Sequence, residues 1–206
     1  MPKSQTFLPQ KTAFVLGFTS IVGQVLLLRE LITVFYGNET AYAIILASWL
    51  FWISVGSYAA SLLVRRIKKP SGLIAAFQWG VYFLLPLTVI FTRYIKQFMH
   101  IQTGEIVGII PVCVISYALL APLTILLGGL FTLICLLPTR HSTDTGGTRH
   151  IGNIYIWESA GATAGGLIFS FVLIPVLPAL HTAFLMGAVN IAAGLFLYEK
   201  KGLAYR

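Results

Sequence analysis

Apolar residues run in six long blocks separated by short polar breaks. The blocks cover approximately residues 12–36, 40–63, 71–92, 110–136, 153–175 and 180–198. Each is close to or above the ~20 apolar residues that a helix needs to cross a bilayer core. Inside hydrocarbon the backbone groups of such a block can only be satisfied within the block, which predicts helices. The expected fold is all-α: a polytopic membrane bundle of six transmembrane helices in a single domain over residues 1–206. The fourth block belongs to a longer apolar run, 105–137, too long for one straight crossing. Pro111, Pro122 and Gly128–Gly129 there read as a start, a kink and a loosened stretch. Residues 138–152 read as a flexible polar loop.

Small residues punctuate two of the spans. Ala47, Ser54, Gly56, Ser57, Ala60 and Ser61 lie along the second. Gly161 and Gly165 form a GxxxG in the fifth, with Ala162 and Gly166 repeating the spacing one residue on. In an apolar span this pattern marks a close helix contact. Gly56, Gly161, Gly165 and Gly166 are therefore the expected helix-packing positions. The second and fifth spans both carry a Trp early (Trp49, Trp157) and then small residues, a loose echo that fits two three-helix repeats.

Composition and charge agree with this reading. Charged residues make up 10% of the chain, the apolar fraction is 57%, and the mean hydropathy is +0.87. A soluble domain carries about 25% charged residues, so most of this surface must meet lipid or a partner. Eleven Lys and Arg residues fall on the side that holds both termini, from Lys3 and Lys11 to Lys200, Lys201 and Arg206. Only Arg93 and Lys96 fall on the other. That asymmetry predicts cytoplasmic N and C termini. The net charge of +8 then reads as topology and lipid headgroup contact, with no nucleic acid partner.

Few residues can carry chemistry. Arg29 and Glu30 sit together inside the first apolar run, and adjacent helical positions do not face each other. Two readings stand. Both side chains reach the outer interface, or they line a cavity shared with Gln24, Thr33, Asn38 and Glu39. Glu158 lies about one turn into the fifth span. It is either an acid favoured at a helix N-terminus or a site for a cation or proton. Trp49 and Tyr155, with other aromatics, read as interface or packing residues, or as a box for an organic cation. His100, His141, His150 and His181 show no metal-ligand spacing. Cys113 and Cys135 lie about 33 Å apart along one helix, so they do not pair. No catalytic constellation, metal site or cofactor motif is found.

The run GQVLLLRELITVFYGNETAYAIILASWLFWISVGSYAASL resembles the membrane domain of the bacterial fused major-facilitator/spermidine-synthase-like proteins. LLGGLFTLICLLP and IGNIYIWESAGATAGGLIFSFVLIPVL are similar to that domain's second half. The resemblance covers most of residues 13–198. It implies a half-major-facilitator-like bundle, usually joined to a cytoplasmic aminopropyltransferase-like domain. By position, Arg29, Gly37, Gly56, Tyr155, Glu158, Gly161 and Gly165 match the family pattern. Gln24 stands where many relatives carry an acid, and Val64 where the facilitator loop has an Asp.

The Rossmann-like sheet and acidic residues of a synthase are not found in these 206 residues, so this chain alone is not expected to make polyamines. Two functions remain. One is a transporter-like domain that binds or moves a small cationic, polyamine-like molecule. The other is a non-catalytic anchoring subunit of a membrane complex or of a separate polyamine-synthase-like enzyme, docking through the GxxxG face and the basic loops. Membrane lipid is the first expected partner, then a second copy of the chain or a partner subunit.

Overall fold

The computed structural model describes residues 7–36, 39–64, 70–98, 107–136 and 144–204. These residues are almost wholly helical, and none of them forms a strand. The helices are α1 (Phe7–Phe35), α2 (Glu39–Val64), α3 (Pro70–Phe98), α4 (Ile109–Leu136), α5 (Asp144–Ile168) and α6 (Ala179–Ala204). After Ile168, α5 passes through a π-helical turn, Phe169–Leu173, into one last turn, Ile174–Val176. Five of these elements are long and apolar enough to cross a membrane. In α6 the described apolar stretch, Ala179–Leu195, is shorter.

Of the helix boundaries that differ from the sequence reading, two have a clear physical reason. α5 begins at Asp144, inside the stretch read as the flexible loop 138–152; residues 137–143 lie outside the described residues. The run TGGTRH looks like a linker by composition. Its first turns lie back against α4, with the His150 ring beside the carbonyl of Ile134. That carbonyl belongs to the last turn of α4, where carbonyls lack an intrahelical donor. α3 runs on to Phe98, past the expected end at 92, and Arg93 in this extension is fastened to α1.

Local chemistry also explains the irregular backbone. Tyr36, just past α1, has a φ of 46°, the left-handed conformation that commonly ends a helix. The π-turn precedes Pro175. Proline donates no backbone hydrogen bond and its ring crowds the carbonyl four residues back. The wider turn, in which Ile174 N–H donates to Phe169 O, brings the helix to Pro175 around that conflict.

The directions of the helices can be read from their contacts. Phe14 and Phe18 of α1 meet Gly161 and Gly165 of α5, so the two run parallel. Ser48 of α2 donates to the Ser116 carbonyl of α4, and Ser57 to that of Gly128, so these two run parallel as well. α3 is antiparallel to α4 (Phe77 at Gly129, Gly80 at Leu126) and to α6 (Tyr82 at Gly187, Trp79 at Gly194). The result is an alternating up-and-down bundle.

The largest interfaces are α2 with α4, α1 with α5, and α3 with α6, followed by α3 with α4 and α1 with α6. Exchanging α1–α3 for α4–α6 maps the first pair onto the second and the third onto itself. It also maps α3·α4 onto α6·α1. A chain built from two three-helix units with inverted topology gives this pattern.

The two parallel pairs share one crossing geometry. A Cβ on Gly17 would meet the Glu158 backbone, and one on Gly161 the Phe14 backbone. A Cβ on Gly56 would meet the Ile125 backbone, and one on Gly128 that of Ile53. In each pair a glycine touches the residue three before its counterpart, as in small-residue crossings in membranes. The core between the pairs is closed by Leu26, Leu31, Phe35, Trp49, Leu85, Leu120, Leu130 and Phe169, all buried.

Candidate functional site

Glycine contact between α1 and α5 sets the position of the acid in the bundle. Gly17 lies directly on the Glu158 carbonyl, with a Cβ there only 2.8 Å from the Glu158 carbonyl carbon. Gly161 and Gly165 draw the next two turns of α5 onto Phe14 and Phe18. Glu158 is thereby held half-buried on the flank of α5, within electrostatic reach of Cys135 on α4. Among the described residues its carboxylate has neither a hydrogen-bond nor an ion-pair partner.

Gln24 is a second polar residue near the α1–α5 contact. It stands two turns above Gly17 on the same face of α1, about 10 Å along the axis, and is also half-buried. Through the register of Phe18 and Gly165 it sits at the level of the π-turn of α5. By register, Glu158 and Gln24 thus place a carboxyl group and an amide along the α1–α5 contact. Phe131 of α4 and Tyr155 of α5 meet edge-on beside it, with ring centroids 6.5 Å apart. Tyr155 is otherwise exposed, and so is Trp157, whose ring meets Phe14.

At the far end of α1 the polar residues separate. Glu30 accepts from Arg93 of α3 through both oxygens, Nε to Oε2 at 2.9 Å and Nη2 to Oε1 at 3.3 Å. This forked geometry fixes orientation as well as charge. Arg29 points outward, and its carbonyl accepts from the Thr33 hydroxyl at 2.8 Å. Thr33 and Glu39 are exposed, and Asn38 lies outside the described residues. Five residues separate Gln24 from Arg29, about 140° around a helix. One lining shared by Gln24, Arg29, Thr33 and Glu39 is therefore not what the structure builds. Trp49 is 2% exposed and fills the core beside Gly23 of α1. That is packing, with no ring face open to a cation.

The Gly161/Gly165 face also differs from one of the two expectations. It is occupied by α1 of the same chain, so it is not a surface on which a partner can dock. Gly166, one residue on, has only Ile21 near it, 3.8 Å from where a Cβ would stand.

Sequence reasoning assigned no role to three polar residues. Arg93 looked like a basic residue of an outer loop; it is the partner of Glu30. Asn190 of α6 is buried and donates at 2.8 Å both to the Thr19 hydroxyl of α1 and to the Met186 carbonyl. Gln78 of α3 is wholly buried. A lone amide in an apolar span was the available signal for both Asn190 and Gln78. Among the described residues no group of His, Cys, Asp and Glu could hold a metal ion. Compared with known proteins, the chain matches no family model, no curated protein and no solved structure.

Proposed function

We propose that this chain is a multi-pass membrane protein whose six helices form a transporter-like unit, binding or moving a small cationic, polyamine-like molecule in the seam between α1 and α5. The observation that carries the reading is Glu158, a carboxylate without a protein partner among the described residues, inside an apolar helix. A charge at a helix centre costs roughly 2.5–3.5 kcal/mol on insertion scales. Such residues face a cavity or a pathway and are functional candidates. An ammonium group supplies the missing countercharge. Gln24, 11 or more residues beyond Glu158 in the α1–α5 register and so ~16 Å or more along the same seam, offers an acceptor to a second polar end. The exchange of the two three-helix halves supports a transporter architecture, since substrate sites in such folds lie at the interface between repeats.

In this reading the membrane is the bacterial inner membrane and both termini are cytoplasmic. Cysteine placed at position 68 then reacts with an impermeant maleimide only from the cytoplasmic side. Function is tested with radiolabelled spermidine and purified chain in proteoliposomes. Wild type shows saturable binding or uptake. Glu158→Gln, which keeps the shape and removes the charge, weakens it about tenfold or more, the equivalent of ~1.4 kcal/mol. Absence of saturable binding by wild type, or equal binding by Glu158→Gln, refutes the proposal.

A further inference from the structure

Two neighbouring helices carry the same interruption. Leu84–Ile90 of α3 reads LLPLTVI, and Leu120–Leu126 of α4 reads LAPLTIL. Pro86 removes the backbone donor that the Tyr82 carbonyl would otherwise use, and Pro122 that of the Ala118 carbonyl. Two residues on, the Thr88 hydroxyl donates to the Leu84 carbonyl and that of Thr124 to the Leu120 carbonyl, each at 2.7 Å. Hydroxyl back-bonding of this kind bends helices, and proline kinks them. Each motif therefore puts two loosening devices into one turn.

The fold sets the motifs side by side. α3 and α4 are antiparallel, with Phe77 at Gly129 and Gly80 at Leu126. Carried on, that register brings Pro86 opposite Leu120 and Pro122 opposite Leu84. The two prolines thus lie within one turn of each other in depth. Tight packing stops at the same level. Every described glycine that brings another helix onto α3 or α4 does so before Pro86 or after Pro122, as Gly187 does at Tyr82 and Gly56 at Ile125. Past the prolines lie two distal arms, Leu87–Phe98 of α3 and Ile109–Ala121 of α4. The α3 arm is fastened to α1 by the forked Glu30–Arg93 pair, and the α4 arm to α2 by the Ser48 hydroxyl on the Ser116 carbonyl.

We propose that Pro86 and Pro122 form one paired hinge, about which the two distal arms swing together, with the Glu30–Arg93 pair as the latch that holds them against α1. The latch suits the task because the Arg93 side chain is half-exposed, and exposed ion pairs are weak and screened by salt. The hinge does not depend on what binds near Glu158.

Spin labels on the full chain in lipid nanodiscs test the hinge, with Cys113 and Cys135 first changed to Ala. One label stands at Leu167→Cys on α5, since α2 is tied to a moving arm. Its partner stands at Tyr94→Cys or Val114→Cys, each eight residues from its proline on a distal arm, or at Phe83→Cys before Pro86. All four positions are exposed. A swing of about 20°, the size of a proline kink, moves a point eight residues out by about 4 Å. With the latch intact each pair gives one narrow distance. Arg93→Gln should add a second distance, shifted by about 4 Å, for Tyr94 and Val114 and leave Phe83 unchanged. Salt at about 1 M screens the pair and should do the same with Arg93 in place, so the test survives a variant that fails to fold. Pro86→Ala combined with Pro122→Ala should remove the second distance. The proposal is overturned if neither condition changes the distal pairs, if only one arm moves, if Phe83 shifts equally, or if the second distance outlives the prolines.

Discussion

Gly165 and Gly166 are neighbours in sequence and opposites in environment, which makes them a paired test of the helix crossing. A methyl group on Gly165 would stand 2.8 Å from the Phe18 carbonyl oxygen, 3.0 Å from Phe18 Cα and 2.8 Å from Ile21 Cγ2. Ile21 can rotate away, but the Phe18 backbone cannot. Relief requires α5 to back off from α1 by roughly half an ångström, and a gap of that size already forfeits about a quarter of each dispersion contact. Overpacking of this kind costs about 1–3 kcal/mol. Against it stands the helix propensity gained from Gly to Ala, about 1 kcal/mol. Gly165→Ala should therefore be neutral to ~2 kcal/mol destabilising. At Gly166 the nearest atom is 3.8 Å away, an ordinary contact, so Gly166→Ala keeps the propensity gain and should be stabilising by up to ~1 kcal/mol. Reversible unfolding of both variants in one detergent, followed by circular dichroism, measures the difference. If the two variants shift stability equally, or Gly165→Ala is the more stable, the α1–α5 geometry described above is wrong.

Other perturbations read other contacts. A double-mutant cycle on Glu30→Gln and Arg93→Gln should give a coupling of about 0.2–1 kcal/mol that shrinks with added salt, because the Arg93 side chain is 51% exposed. A coupling that salt does not change would place the pair in a drier setting than found. Thr19→Val should cost about 0.6 kcal/mol, up to ~1.7, as interhelical hydrogen bonds in membranes do; Asn190→Ala should cost more, since its carbonyl bond to Met186 goes too. Unfolding midpoints check both. His150→Ala removes the ring that lies beside the Ile134 carbonyl at the end of α4 and should lower stability by up to about 1.5 kcal/mol, with faster amide exchange in the first turns of α5 as the local readout.

Hydropathy made the helices legible because each apolar run is long and the breaks between runs are short. What a one-dimensional pattern cannot carry is which faces meet. Arg29 and Glu30 looked equivalent, yet one turn of 100° sends Glu30 to Arg93 and Arg29 outward. Arg93 lies 63 residues from Glu30, and no local spacing links them. The glycines announced a close contact, but α1 as its other side could be seen only in three dimensions. The helical start of α5 was hidden because TGGTRH is linker-like in composition; packing of His150 against the end of α4 overrides that local preference. Glu158 was identifiable as an acid in an apolar span, whereas the absence of a described partner for it depends on every neighbouring helix.

The pairing order has a consequence for how the polypeptide matures. Each of the three largest interfaces joins a helix of the first half to one of the second, so neither half contains its own principal contacts. During synthesis the leading three segments emerge with their seams open until the trailing three arrive. The same interlocking means that two fragments cut between Phe98 and Ile109, made together, have every reason to find one another.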